Sequence, residues 1–262
     1  MPTVVIKPDR LNELNANYAQ VPLTNPVFLN SVPKCGTHLL RNIVRMFVPV
    51  AQQYHKTFIQ HAILQRHLSA FSAQPPLLSW GHLLFSDGAA IALRRVRHIL
   101  LVRDPYDWVL ARARFFLSGA FQGELDNIKG GRVSVEDALN MMIFGVHEKA
   151  PTLQEIFLHN AASWLGTQAR LKRYEDLMAN LRELDSPAAE AFFSSLLEDC
   201  GISPLPADWR ERVRVGADRE QSGTARENLQ GQAADVPDVL PETQKRLVDF
   251  VAPGLRQLLG YA

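Results

Sequence analysis

Residues 27–47 constrain this chain more than any other stretch. A short apolar run, Val27-Phe28-Leu29-Asn30, precedes Pro33-Lys34-Cys35-Gly36-Thr37-His38, which opens directly into Leu39-Leu40-Arg41-Asn42-Ile43-Val44-Arg45-Met46-Phe47. That order reads as strand, tight loop and amphipathic helix. A loop at a helix N-terminus presents backbone N–H groups without intrahelical partners and the positive end of the helix dipole, so it suits an anion such as phosphate. Lys34 adds a mobile cation, and Thr37 and His38 add side-chain donors. The spacing is not that of an ATP-binding P-loop, which places Lys directly after its last Gly in a longer loop. Here Lys34 precedes Gly36.

The rest of the chain alternates short apolar runs with helical patterns. Leu77-Leu78-Ser79-Trp80, Val96-Arg97-His98-Ile99-Leu100-Leu101-Val102 and Ala169 to Tyr174 read as strands. Tyr54–Phe71, Tyr106–Leu117, the capping-box start at Ser134 running to Phe144, Pro151–Trp164, Ser186–Gly201 and Pro241–Gly260 read as helices. Strands alternating with helices predict an α/β fold: a single domain with a central parallel sheet flanked by helices, a P-loop-like three-layer architecture. Residues 1–26, with four prolines, are expected to be an extended lead-in, and 27–262 the domain. Residues 216–240 are polar and Gly-containing and read as a long loop.

Composition excludes some functions. With 262 residues, 47% hydrophobic, 21% charged and a net charge of +1, the chain has no global field pointing to nucleic acid or a membrane surface. No apolar stretch reaches the roughly 20 residues of a membrane span. The N-terminus has no signal-peptide core, and Cys35 and Cys200 make no disulfide framework. A cytoplasmic protein is expected. His55, His61 and His67 recur every six residues, which spreads them around a helix, whereas zinc sites use i, i+3 or i, i+4.

Three further segments carry chemistry. In Trp80-Gly81-His82-Leu83, a His closes a strand at the edge where open α/β sheets bind ligands, and imidazole takes a proton near neutral pH. In Val102-Arg103-Asp104-Pro105, Arg103 at a strand end offers a bidentate fork to phosphate. Arg173-Tyr174-Glu175-Asp176-Leu177 places a Tyr that can stack and hydrogen-bond.

Together with the opening loop, these segments resemble the sulfotransferases that use 3′-phosphoadenosine 5′-phosphosulfate (PAPS). Pro33–His38 is similar to the family's Pro-Lys-Ser-Gly-Thr-Thr loop, with Cys35 and His38 standing for Ser and Thr, and Arg173–Leu177 matches a family segment without change. The resemblance implies sulfuryl transfer from PAPS to an acceptor hydroxyl or amine by in-line displacement. It makes His82 the general base, and Lys34 the cation on the bridging oxygen. The loop amides of Cys35, Gly36, Thr37 and His38 would hold the 5′-phosphate. It sets Arg103 on the 3′-phosphate and Tyr174 near the adenine, and it implies no metal. A family Ser that also binds the 3′-phosphate falls at Ala111, where Arg112 or Arg114 could compensate or could equally form a solvated helix face.

The family's Gly-rich C-terminal loop is degraded here; Arg214 or Arg219, with Gly223, could serve. Cys35 is either a thiol of depressed pKa beside Lys34 or a small residue in place of Ser. Met141-Met142-Ile143-Phe144 reads as helix core or as the apolar inner face of a lid. The expected acceptor is a small molecule, a glycan or a lipid, and the oligomeric state stays open. A catalytically inactive nucleotide-binding scaffold of the same fold is the main alternative, ahead of a P-loop kinase, whose Mg²⁺-binding Ser/Thr and Walker-type Asp are not found in register.

Overall fold

The structure, a computed structural model, describes residues 3–4, 8–119, 121–123, 125–222 and 231–262. In chain order the strands are β1 (Thr3–Val4), β2 (Val27–Ser31), β3 (Ile59–Gln60), β4 (Leu78–His82), β5 (Arg97–Val102), β6 (Phe121–Gln122) and β7 (Arg170–Arg173). The helices are α1 (Leu11–Asn15), α2 (Thr37–Arg45), α3 (Asp87–Leu93), α4 (Pro105–Leu117), α5 (Val135–Phe144), α6 (Leu153–Asn160), α7 (Tyr174–Arg182), α8 (Pro187–Asp199), α9 (Trp209–Ala217), α10 (Glu242–Val251) and α11 (Leu255–Leu258).

Two compact units share these elements. Among the described residues, one holds 8–102 and 163–222, and the other holds the N-terminal strand, 103–162 and 231–262. The first carries the sheet, in the order β3-β4-β2-β5-β7, with every neighbouring pair parallel. All of β2 is buried, as is β5 from His98 onward. A strand covered on both faces needs apolar side chains on both, which is why these two read as continuous runs and not as alternations. Helix α2 packs on β2 and β4, α8 on β5, α7 on β7, and α9 on α2. This is the parallel α/β sheet flanked by helices that the sequence predicts.

Register sets the geometry of the functional edge. Asn30 pairs with Gly81 and Ser31 with Leu101, so β2, β4 and β5 end level with one another. The loop after β2 and the last residue of β4, His82, therefore emerge on one carboxyl edge.

In the second unit β1 and β6 form an antiparallel pair, and α4 packs on α5 and α10. Asp104 caps α4 by accepting from the Tyr106 amide at 3.0 Å, and Pro105 takes the first helical position. Arg256 donates to the same carboxylate at 2.9 and 3.0 Å.

Several segments differ from the sequence reading, and two helices, α3 and α7, lie where it assigned none. Leu11–Asn15 is helical within the expected lead-in. The helix expected over Tyr54–Phe71 is instead β3 followed by a 3-10 segment, His61–Phe71; two strand residues are too few to show a period of two. Trp209–Ala217 is helical, reaching into the start of the expected loop. The final helix divides into α10 and α11, because Pro253 cannot continue a helix and Gly254 turns left-handed at φ +73°. Among the described residues no helix is long and apolar enough to cross a membrane.

Candidate active site

The loop between β2 and α2 closes on itself through a turn in which the Cys35 amide donates to the Val32 carbonyl at 3.2 Å. Lys34, at φ 69°, and Gly36, at φ 91°, both lie in the left-handed region. For Lys34 that conformation is costly, and such strain concentrates at functional loops. No side chain caps α2, so the amides of its first turn are the donors offered to an anion. The Cys35 amide, expected to face the 5′-phosphate, is instead committed to Val32: the turn that tightens the loop points it inward. The Cys35 thiol is buried, which favours the small-residue reading over the reactive one.

Gly36 is required by contact as well as by φ. A Cβ there would lie 2.5 Å from the ring of Tyr174, the first residue of α7. The fold thus lays the Tyr174 ring against the loop, bringing together two segments far apart in sequence.

His82 closes β4 beside the loop. Its Nδ1 lies 2.8 Å from the Ser31 carbonyl oxygen and 3.1 Å from the Ser31 hydroxyl, which is itself 2.5 Å from the Thr37 hydroxyl. A carbonyl oxygen only accepts, so Nδ1 carries the proton and Nε2 keeps its lone pair. Burial pushes the His82 pKa down to about 4, and the nearby Lys34 charge pushes the same way; hydrogen bonds to the Ser31 and Gly81 backbone oppose the shift. At neutral pH the ring is neutral, the form a general base needs.

Three residues that shape this site carry no signal readable in the sequence. Asn30 is fully buried; its amide accepts from the Leu83 N–H at 2.9 Å and donates to the Leu83 carbonyl at 3.2 Å. It continues the β2–β4 ladder beyond Asn30–Gly81 with a side chain, holding the residue after His82. The Trp164 indole donates to the same carbonyl at 3.1 Å. Gly81 lets β3 approach β4, since a Cβ there would sit 1.9 Å from the Ile59 carbonyl oxygen. An Asn in a buried strand, and a Trp more than eighty residues from His82, acquire meaning only through the register.

The remaining expected residues are placed as follows. Arg103 directly follows β5 and is half-buried. Arg112 is buried at 3% exposure and donates to the carbonyls of Met142 and Pro151 at 2.8 and 2.9 Å. Arg114 donates to the carbonyls of Val236 and Pro237 and to the Asp238 carboxylate. Both arginines hold their own unit together, and neither forms a solvated face. Arg214 lies on α9 and pairs with the exposed Asp185 at 2.9 Å, while Arg219 lies in the turn after that helix. Gly223 is outside the described residues. Within the Met141–Phe144 run, Met142 and Ile143 are buried as helix core and Phe144 is exposed.

The fold has counterparts among solved structures. A mouse sulfotransferase complexed with PAP superposes at a TM-score of 0.57 with 14% identity, over 98% of this chain and 95% of that one. Retinol dehydratase in complex with androsterone and the inactive cofactor PAP gives 0.54 and 15%, over 99% and 90%. Retinol dehydratase with retinol and PAP gives 0.52 and 15%, over 92% and 82%. No family model and no curated protein matches the chain. The chain has the sulfotransferase fold.

Proposed function

We propose that this protein is a PAPS-dependent sulfotransferase acting on the hydroxyl, or amine, of a small acceptor. The observation that carries the reading is the His82 ring, fixed by Ser31 with Nε2 unprotonated, beside Lys34 on a loop that opens an uncapped helix. The residues fit the cofactor: an anion-facing first helical turn, a cation, and an aromatic ring laid against the loop. Androsterone and retinol, bound in the retinol dehydratase structures, support a small hydroxylated acceptor.

When bound, PAPS supplies the sulfuryl group and a phosphate leaving group. His82 Nε2 takes the proton of the acceptor hydroxyl, while Ser31 holds Nδ1–H and keeps the ring aimed. Lys34 would supply positive charge to the phosphate oxygen that leaves, and the first-turn amides of α2 would hold the 5′-phosphate as dipoles oriented before reaction. Arg103, at the end of β5, is assigned the 3′-phosphate, with Arg214 or Arg219 as the further candidate. Tyr174 is assigned the adenine.

Incubating the protein with sulfur-labelled PAPS and a set of phenols and alcohols tests the reading. Label is expected on an acceptor, with none arriving from γ-labelled ATP and Mg²⁺. Transfer from ATP alone would overturn it. Binding of PAP with no transfer to any acceptor would favour the inactive scaffold, a reading supported by the commitment of Arg112, Arg114 and Arg214 elsewhere.

A further inference from the structure

Arg41 is not used in the chemistry above. It lies on α2 one turn after Thr37, with its guanidinium 4.5 Å over the ring of Trp80. The structure gives it no hydrogen bond or ion pair to any described residue. The nearest opposite charge, Asp9, is held by Arg45 at 2.5 Å. Burial, and next the Arg45 charge, lower the Arg41 pKa to about 10, with Asp9 opposing. Arg41 is thus a half-buried cation stacked on an indole, with no acceptor among the described residues, and an anionic group would satisfy its donors.

The surface that Arg41 caps leads to the base. Trp80 and His82 alternate along β4 with one residue between them, so both point to the same face of the sheet. The Phe58 ring meets Trp80 at 5.0 Å and His82 at 4.7 Å, and His38 meets Trp80 at 5.0 Å. His38, Arg41, Phe58, Trp80 and His82 are all partly exposed. They form a continuous aromatic wall with an imidazole base at one end and an arginine at the other.

Building on the sulfotransferase reading of His82, we propose that the acceptor is an anionic aromatic molecule. Its hydroxyl meets His82, its ring lies along Phe58 and Trp80, and its carboxylate, sulfate or phosphate is held by Arg41. An Arg fork at one end of the wall also favours an acidic acceptor over its neutral analogue, which offers the guanidinium no charged hydrogen-bond partner.

The test is equilibrium binding by calorimetry of 3-(4-hydroxyphenyl)propionate and its methyl ester to the PAP-loaded protein, in wild type and in Arg41→Gln and Arg41→Lys. A hydrogen-bonded charge of this kind gives about tenfold discrimination, so the acid is expected to bind wild type about tenfold tighter than the ester. That ratio should fall close to one in R41Q, and R41K should keep part of it. Raising the salt should weaken the acid alone, a readout that needs no variant to fold. Equal binding of acid and ester to wild type, or an unchanged ratio in R41Q, overturns the proposal. PAP affinity separates the two ideas. If PAP binds and no discrimination is seen, the Arg41 inference fails and the sulfotransferase reading stands. If PAP does not bind, that reading fails, and the acid-to-ester ratio on the unloaded protein still decides Arg41.

Discussion

His82 and His98 lie on the same parallel sheet at opposite edges. His82 is the last residue of β4 and His98 the second of β5. Burial lowers both, His82 to about 4 and His98 to about 3. Their surroundings differ. His98 is 2% exposed, neither ring nitrogen is hydrogen-bonded, and its ring meets Trp164 at 4.7 Å and Phe28 at 6.0 Å. His82 is partly exposed, has one nitrogen fixed by Ser31, and has Lys34 close enough to act on its charge. Lowered basicity by itself marks only desolvation. What makes a histidine a base is a fixed tautomer and a second nitrogen that reaches a ligand.

The comparison breaks most readily at His82 itself. His82→Ala is expected to lower kcat by ~10²–10⁴, the usual worth of a general base, with PAP affinity unchanged. His98→Leu should leave sulfuryl transfer as it is. Steady-state kinetics of the two variants, with PAP calorimetry alongside, decides the matter, and equal losses would remove the distinction between the edges.

Gly36→Ala comes next. The new Cβ meets the Tyr174 ring at 2.5 Å in a left-handed backbone, a strain of about 1–3 kcal/mol. PAP affinity should weaken by roughly 10–100-fold if the loop shifts to relieve that strain. Wild-type affinity in this variant would mean that the loop does not hold the cofactor.

Asn30→Leu sharpens the comparison by keeping His82 and loosening its support. Losing both bonds to Leu83 should cost about tenfold in kcat, with KM for PAPS unchanged. A ring that is no longer aimed should also lose the Nδ1–H signature in the nitrogen spectrum of labelled histidine. A lower Tm without either change would reduce Asn30 to a packing residue.

A further effect is on stability against pH, and none is expected on turnover. The His98 pKa falls from 6.5 to about 3 on folding, so between those pH values the unfolded chain takes up a proton that the folded chain refuses. Stability is therefore lost as pH drops through this window, by up to about 1.4 kcal/mol per pH unit from this one group. His98→Leu should flatten the acid limb of a denaturation series. An unchanged slope would mean that His98 takes up its proton in the folded state near the ordinary pH.

The loop, the strands flanking it and Tyr174 were legible because each lies in a contiguous segment whose pattern reflects its own backbone. The strand-end position of His82 was legible for the same reason. Asn30, Gly81 and Trp164 were not, since their roles exist only once β2, β3 and β4 are in register. The inward turn of the Cys35 amide depends on the φ values of Lys34 and Gly36, which residue types alone do not set. Arg112, Arg114 and Arg214 looked available because a sequence shows a charge and not the carbonyl or carboxylate that takes it. Strand β3 went unread because two residues carry no periodicity.

The most direct test of the carboxyl edge as a PAPS site is the melting temperature with PAP, set against ATP and Mg²⁺. At a hundred times its Kd, PAP should add ~2.7 kcal/mol, which raises the Tm of a chain this size by roughly 5–10 °C. Stabilisation by PAP and none by ATP with Mg²⁺ is the expected result; stabilisation by ATP with Mg²⁺ alone would contradict it.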